Sequence, residues 1–255
     1  MRIISFCAED IEAAAKQGFY EWALDQDADF ICVQDLRHQE YDLKGDVYFP
    51  RDYNAYFFDA VDKNSNGVAI YTRQLPKAIM TGLGFVDFDI EGRYIQADFE
   101  RFSVGSFLAP FAPPGDAAAL QRKLAFYEQL LAHLNKVRNK RREFIICGNW
   151  NIAHTEYDVE NAANQENVAG FLSEERVLLD QLFTELGYVD AFRNVCSDDD
   201  EYTWWPDGNQ DANGWRVDLQ VVSEGLQHTI EYGSIYKNQQ FSNHAPLIMD
   251  YETDF

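Results

Sequence analysis

The chain has few basic residues. Lys and Arg supply 21 of its 255 residues and Asp and Glu supply 43, which gives a formal net charge of −22. Such a protein repels a polyphosphate over most of its surface. The balance argues against a broad basic face for nucleic acid, and it is equally typical of salt-adapted or highly soluble proteins. Contact with nucleic acid stays open wherever cations are concentrated locally.

Long apolar segments are missing as well. No run of eighteen or more apolar residues occurs in the chain, so no membrane span and no membrane association are expected. Residues 1–6 enter a strand pattern directly and lack the apolar segment and cleavage site of a signal peptide. The sequence therefore predicts a cytoplasmic protein.

Cysteine is scarce and widely spaced. The four cysteines form no Cys-x-x-Cys pair, which argues against a structural zinc site of that kind. Cys32 and Cys147 lie inside apolar segments, where a free thiol packs like a small hydrophobic group. Reduced thiols are the expectation for a cytosolic protein.

No Gly/Ser linker, low-complexity tract or internal repeat divides the chain, so residues 1–255 are predicted to form a single domain. Short apolar segments bounded by turn residues predict strands at 2–7, 30–34, 53–59, 68–72, 94–99, 101–107, 143–147, 202–205, 217–222 and 247–251. Helices are predicted at 11–26, 117–139 and 173–186, the last with Ser173 as N-cap. This pattern indicates an α/β domain in which two mixed sheets pack together and helices lie outside.

Polar groups recur at the ends of the predicted strands. The segments are Val33-Gln34-Asp35, Gly148-Asn149-Trp150-Asn151, Arg216-Val217-Asp218 and Ser242-Asn243-His244. Each segment taken singly is explained by a turn or a cap. Together they predict one cleft, because strand ends converge at the edges of packed sheets.

On these motifs the chain resembles the exonuclease III class of the endonuclease/exonuclease/phosphatase superfamily. The resemblance runs from Ile3 to Tyr251 and includes Gly67-Val68-Ala69-Ile70, Gly92-Arg93-Tyr94, Thr203-Trp204-Trp205 and His244-Ala245-Pro246. It implies a four-layer α/β sandwich, with two mixed β-sheets face to face flanked by helices. Active members of this class hydrolyse phosphodiesters with Mg²⁺.

The resemblance also implies that several site positions have changed. Cys7 stands where the class has an Asn that supports the metal carboxylate, and Asp35 replaces the metal-binding Glu. Leu108 replaces an active-site Tyr. Asn149 replaces the Asp that acts as general base, and a neutral carboxamide cannot accept a proton from water. Asn243 replaces an Asp assigned to orient the catalytic His.

Three site residues of the class are kept, namely Asn151, Asp218 and His244. Asp35 is still a carboxylate, which leaves it a candidate for weak Mg²⁺ binding. Purely structural roles are the alternatives: His244 is then a core histidine, and Asp218 is a cap or a partner of Arg216. No tightly bound cofactor is expected, and Mg²⁺ only if the protein is an active nuclease.

A second resemblance is to the Crc group (catabolite repression control proteins) within the same class. The matching segments include Gly92-Arg93-Tyr94-Ile95-Gln96, Lys140-Arg141-Arg142-Glu143 and Trp204-Trp205-Pro206-Asp207. Crc-type proteins keep the nuclease fold with a degenerate site and act as translational co-repressors that join Hfq on A-rich mRNA. Asn149, Asn151 and Leu219 lie closer to the nuclease motifs than to the Crc pattern.

The densest group of cations falls at the end of the second predicted helix. This basic cluster comprises Lys136, Arg138, Lys140, Arg141 and Arg142. It is interpreted either as a solvated helix end or as a phosphate contact for RNA that is already held by Hfq, with weak or no binding to RNA alone. The tryptophans at 204, 205 and 215 are predicted to pack in the core, with base stacking as the alternative.

Two functions therefore compete. The favoured prediction is a catalytically degenerate, Crc-type co-repressor acting with Hfq and A-rich mRNA. The alternative is a Mg²⁺-dependent abasic-site endonuclease and 3′–5′ exodeoxyribonuclease of DNA repair. A phosphatase acting on a small phosphoester is a weaker third possibility. Cys7, Leu108 and Asn149 favour the first prediction, whereas Asp35, Asn151, Asp218 and His244 keep an enzyme possible.

Overall fold

The structure is a computed structural model that describes residues 1–253. Two six-stranded sheets make up its centre. In chain order the strands are β1 Arg2–Cys7, β2 Phe30–Gln34, β3 Asn54–Phe58, β4 Val68–Thr72, β5 Ala78–Thr81, β6 Tyr94–Asp98, β7 Phe102–Leu108, β8 Glu143–Asn149, β9 Val189–Asp190, β10 Asp218–Val222, β11 Ile230–Ile235 and β12 Leu247–Tyr251.

Both sheets are mixed. The first sheet has the order β11-β12-β1-β2-β4-β3, and the second has the order β5-β6-β7-β8-β10-β9. Within these sheets β1 runs parallel to β2 and β7 runs parallel to β8, whereas the other neighbouring strands are antiparallel. The near symmetry of the two halves puts a parallel pair at the middle of each sheet.

The helices flank the sheets, and all but the last of them pack on the outer faces. They are α1 Ile11–Lys16, α2 Phe19–Asp25, α3 Val86–Asp89, α4 Ala117–Val137, α5 Ser173–Asp180 and α6 Ala191–Val195. A π-helical turn, Gln181–Glu185, continues α5, and 3₁₀ turns occupy Glu40–Asp42, Asp46–Tyr48, Glu156–Asp158, Ala162–Asn164 and Glu224–Thr229. None of the helices within residues 1–253 has the length and apolar character needed to cross a membrane.

Strand alternation divides the core into layers. In β2, Phe30 and Cys32 face the second sheet, while Ile31 and Val33 face α1 and α2. The outer face of the second sheet packs against α4 through residues such as Tyr127. The predicted four-layer α/β sandwich is therefore confirmed.

Several element predictions need correction. The helix predicted at 11–26 is two helices, because Gly18 takes a left-handed conformation (φ +88°) between them. Residues 202–205 form isolated bridges, from Trp204 to Trp215 and to His244, instead of a strand. Leu172, not Ser173, is the N-cap of α5. The strands β5, β9 and β11 were not predicted.

Strand register brings the site residues to one edge of the sandwich. Asn149, the last residue of β8, lies opposite Leu108 of β7 and Asp218 of β10. In the first sheet Cys7 ends β1 opposite Gln34, the last residue of β2. The carboxyl ends of four strands and the start of β10 therefore meet at the same place.

Candidate active-site cleft

A cleft of about 550 Å³ opens at this edge of the sandwich. Asp218 lies beneath it, and Asn243 points away, with its side chain against Gly208. The structure thus brings most of the predicted site together. The predicted positions that line the cleft are Cys7, Asp35, Leu108, Asn149, Asn151 and His244.

His244 is held by Asp218. Its Nδ1 atom lies 2.7 Å from Oδ2 of Asp218, and both residues are buried. The expectation that Asn243 occupies the orienting position is wrong, because only its backbone joins the network, where its N–H donates to Glu9. Pairing of Asp218 with Arg216 is also wrong, since Arg216 bonds to Asp158 and Asp190.

The environment of His244 favours the charged imidazole. Burial lowers its pKa, but the Asp218 carboxylate and the Cys7 thiol outweigh burial and raise the pKa well above its ordinary value. Burial raises the pKa of the Cys7 thiol in turn. The His244–Asp218 pair is therefore a buried, hydrogen-bonded ion pair beside the Cys7 side chain.

Asn149 occupies the centre of the floor. Its Oδ1 atom accepts a hydrogen bond from the backbone N–H of Asn151 at 2.8 Å, and its Nδ2 donates to Cys7 Sγ at 3.6 Å. A Cβ at the preceding Gly148 would lie 1.8 Å from the carbonyl oxygen of Phe107, so only glycine lets β8 run this close to β7. The side chain of Asn149 is thereby fixed in place, but it has no proton-accepting group of useful basicity.

Asn151 and Leu108 frame this floor. Asn151 adopts φ +53°, which asparagine tolerates better than most residues, and its Nδ2 donates to the carbonyl oxygen of Ala109 at 2.8 Å. Leu108 is buried at the end of β7 and offers no hydroxyl group to the cleft. A phosphate bound here would meet the apolar side chain of Leu108 where the resemblance implies a phenol hydroxyl.

The residues near Asp35 do not fit a tightly held Mg²⁺ ion. Oδ2 of Asp35 accepts two hydrogen bonds from Arg37, at 2.6 and 3.0 Å, so a cation already balances this carboxylate. Cys7, beside it in the cleft, presents sulfur, whereas Mg²⁺ prefers oxygen ligands in octahedral geometry. Asp35 remains the carboxylate at this position, but as a member of an ion pair.

Sequence reasoning missed four charged residues that build the cleft. Arg37 and Arg93 line it and place positive charge inside an acidic protein. Lys123 and Glu175 form a fully buried ion pair at 2.5 Å, and Lys123 also donates to the backbone oxygen of Asn151 at 2.5 Å. The motif Gly92-Arg93-Tyr94 could have indicated Arg93 as a site residue. Lys123 lies in an amphipathic helix, where no sequence pattern indicates that a lysine is buried.

The tryptophans separate into two kinds. Trp205 and Trp215 are buried, which confirms that they pack in the core. Trp204 is half-buried, stacks on His244 with ring centroids 6.0 Å apart, and lines the cleft. Only Trp204 is therefore placed to contact a ligand in the cleft.

The basic cluster lies elsewhere. It spans the last turn of α4 and the residues that lead into β8, whereas Asn149 ends β8, so the seven-residue strand separates them by roughly 20 Å. Arg138 donates to the carbonyl oxygen of Glu185, and Arg142 donates to that of Phe99 at 2.6 Å. The other members of the cluster are exposed: Lys136, Lys140 and Arg141.

A sandwich of two facing mixed sheets, with a polar cleft where strand ends meet, defines the class of the molecule. The chain belongs to the Endonuclease/Exonuclease/phosphatase family, whose family model matches residues 11–243.

Several proteins similar to this chain are named as nucleases. The chain is 34% identical to an exodeoxyribonuclease of Bacillus subtilis, over 97% of this chain and 98% of that protein. It is 30% identical to a DNA-(apurinic or apyrimidinic site) endonuclease of Dictyostelium discoideum, over 97% of this chain and 69% of that protein. An AP endonuclease structure from Archaeoglobus fulgidus shares the fold with a TM-score of 0.87 and 22% identity, covering 99% of this chain and 100% of that one.

Proposed function

We propose that the protein binds nucleic acid as a member of the exonuclease III class whose cleft hydrolyses phosphodiesters far more slowly than active members do. The observation that carries the proposal is Asn149. A buried carboxamide with both ends hydrogen-bonded stands where the class places its general base, and it cannot take a proton from water.

The neighbours of Asn149 support the same proposal. Leu108 removes a hydroxyl from the cleft, and Asp35 is paired with Arg37 instead of being free for Mg²⁺. Arg37 and Arg93 line the cleft and are themselves paired with Asp35 and Glu91, so the positive charge that they offer a phosphate is partly balanced. The cleft therefore keeps residues that can contact a phosphate, while the groups that would hydrolyse it are reduced.

For the biological role we propose a Crc-type translational co-repressor that joins Hfq on A-rich mRNA. The support is the resemblance of the sequence motifs to the Crc group, together with the depleted cleft. At a net charge of −22 the isolated protein is expected to bind RNA weakly or not at all. RNA presented by Hfq needs only a few added phosphate contacts, which the exposed members of the basic cluster can make.

A DNA-repair nuclease is the second candidate, and the relatives reported above support it more directly than co-repression. Each of them is named as an exodeoxyribonuclease or an AP endonuclease. The specific observation in its favour is the intact pair of His244 and Asp218. Under this candidate Mg²⁺ would be the cofactor, and cleavage of abasic or 3′-terminal DNA would be the activity.

Cleavage and binding measured on the same substrates separate these candidates. With Mg²⁺ and abasic duplex DNA, we expect cleavage at least ~1000-fold slower than by the Bacillus subtilis exodeoxyribonuclease. A rate within about tenfold of that enzyme would overturn the proposal of slow hydrolysis and would favour the DNA-repair nuclease. In a mobility-shift assay with A-rich RNA, a supershift only in the presence of Hfq supports the co-repressor role, and no supershift removes it.

A further inference from the structure

Three side chains of types that can bind a metal ion meet at the floor of the cleft. A thiol, an imidazole and a carboxylate, from Cys7, His244 and Asp218, offer ligand atoms that all lie within 4.8 Å of one another, and all three residues are buried. They come from the end of β1, the residues before β12 and the start of β10. The fold therefore brings Cys7 together with two residues that lie more than two hundred positions later in the chain.

The carboxylate of Asp218 is incompletely satisfied. Its Oδ2 atom is hydrogen-bonded to His244, but its Oδ1 atom is buried and has no hydrogen-bond partner among residues 1–253. An orphaned oxygen of this kind costs free energy unless a donor or a cation reaches it. The same carboxylate is a member of the group of three ligands, so a cation held there would offer its buried oxygen a partner.

The chemistry of the three donors selects the ion. Thiolate sulfur, imidazole nitrogen and carboxylate oxygen are ligands for Zn²⁺ and related transition metals, and sulfur is a poor ligand for Mg²⁺. We propose that Cys7, His244 and Asp218 bind one Zn²⁺ ion, with the remaining coordination position facing the cleft. Binding replaces the Cys7 thiol proton and a proton of the His244 ring, and both are released to the buffer.

This proposal goes beyond the proposed function and holds whether or not the cleft cleaves nucleic acid. It concerns a position, Cys7, at which the resemblance implies an Asn in active members of the class. A carboxamide at that position would leave only nitrogen and oxygen donors. The thiol is therefore the feature that turns a hydrogen-bonding network into a zinc site.

Zinc affinity measured against a chromophoric chelator tests the proposal. We expect one equivalent of Zn²⁺ to bind the wild-type protein and the Cys196→Ser control, which removes a thiol outside the site. The Cys7→Asn variant should bind at least ~100-fold more weakly, the scale seen when even an outer partner of a metal ligand is lost. Equal affinity in Cys7→Asn, or no binding by folded wild-type protein, would overturn the site.

Binding of Co²⁺ provides a second test of the zinc site, and it does not require a substitution at Cys7. Co²⁺ added to the Cys196→Ser protein should give the near-ultraviolet absorption of a thiolate-to-metal charge transfer. That absorption should disappear when excess Zn²⁺ displaces the cobalt. Bound Co²⁺ without the thiolate band would show that Cys7 is not a ligand, and the proposal would fail even if Cys7→Asn does not fold.

Discussion

The cleft and the basic cluster lie at opposite ends of β8 and are built in opposite ways. In the cleft, side chains such as Asn149 are buried and hydrogen-bonded to one another, and charged residues below it form closed ion pairs. In the cluster, Lys136, Lys140 and Arg141 are exposed to solvent. Substitutions in the cleft are therefore expected to affect both stability and chemistry. Substitutions in the basic cluster are expected to change mainly the local charge.

Helix α4 connects the two regions and displays the contrast within one element. Lys123 lies on its buried face, bonded to Glu175 and to the backbone of Asn151. Lys136 lies in its last turn, exposed and near the negative end of the helix dipole. Two lysines thirteen positions apart on one helix therefore have different roles, and predictions can be made for each.

The largest effect is expected below the cleft, at Asp158. This fully buried carboxylate accepts hydrogen bonds from Arg216 and Arg193, and Arg216 leads into β10 and Asp218. Asp158→Asn should lower the free energy of unfolding by about 3–5 kcal/mol at neutral pH, because Arg193 loses its carboxylate partner and the buried Arg216 keeps only Asp190. Denaturant titration measures the change.

The pH dependence of this variant gives a sharper form of the same prediction. Burial raises the pKa of Asp158, but Arg216 and Arg193 outweigh burial and hold the pKa well below its ordinary value. A depressed pKa stabilises the fold above the unfolded-state pKa, about 3.9, and the stabilisation is lost as pH falls through the folded value. The stability gap between wild type and Asp158→Asn should narrow below about pH 4, and a constant gap would contradict this electrostatic account.

A slightly smaller loss is expected at the linking helix. Lys123→Met leaves Glu175 buried without its partner, so we expect a loss of about 3 kcal/mol in the free energy of unfolding. The matched control is Lys136→Met on the same helix, which should change stability by no more than about 0.5 kcal/mol. Similar losses in the two variants would break the distinction between the two regions.

The basic cluster should affect binding without affecting folding. Arg138 and Arg142 bond to backbone carbonyl oxygens, so a clean variant replaces only Lys136, Lys140 and Arg141 with Ala. Under the proposed co-repressor role, its assembly with Hfq and A-rich RNA should weaken by about tenfold or more. The negative slope of log affinity against log salt should become shallower by about 2, because fewer counterions are released. Supershifts identical to wild type at each salt concentration would identify the cluster as a solvated helix end.

The smallest effect is expected at Asn243. Because Asp218 already orients His244, restoring the carboxylate with Asn243→Asp should leave both cleavage and the melting temperature nearly unchanged. Asp218→Asn is the matched variant, since it removes the carboxylate charge beside His244 that Asn243→Asp cannot replace. A gain of cleavage from Asn243→Asp alone would show that the residue at position 243 orients His244.

Much of the fold followed from the sequence because apolar strands such as Arg2–Cys7 and Val68–Thr72 carry a strong local signal. The strands that escaped prediction are short or exposed; β5, for example, has mostly exposed residues, and β9 has two residues. The break at Gly18 is a single left-handed residue within a helical pattern. Local patterns do not determine such features, because they depend on tertiary packing.

The site was predicted as a set of positions but not as a set of contacts. Strand-end motifs placed Asn149 and His244 near one another, the family resemblance added Cys7, and the cleft agrees with both. Which carboxylate reaches His244 depends on the register of β10 against β8, which sequence spacing does not determine. The sequence also did not predict that Cys7 lies near Asp218, because the two residues are in different sheets and meet only when the sheets pack together.

The central claim is that the changed cleft positions account for lost hydrolysis. The most direct measurement is single-turnover cleavage of abasic duplex DNA with Mg²⁺ by two variants. One carries Asn149→Asp alone, and the other combines it with Cys7→Asn, Asp35→Glu and Leu108→Tyr. Because site residues act as a unit, we expect less than about a tenfold gain from the single change and a gain of at least ~1000-fold from the combination. Wild-type cleavage already near that of an active relative, or a folded combined variant that stays inactive, would contradict the account.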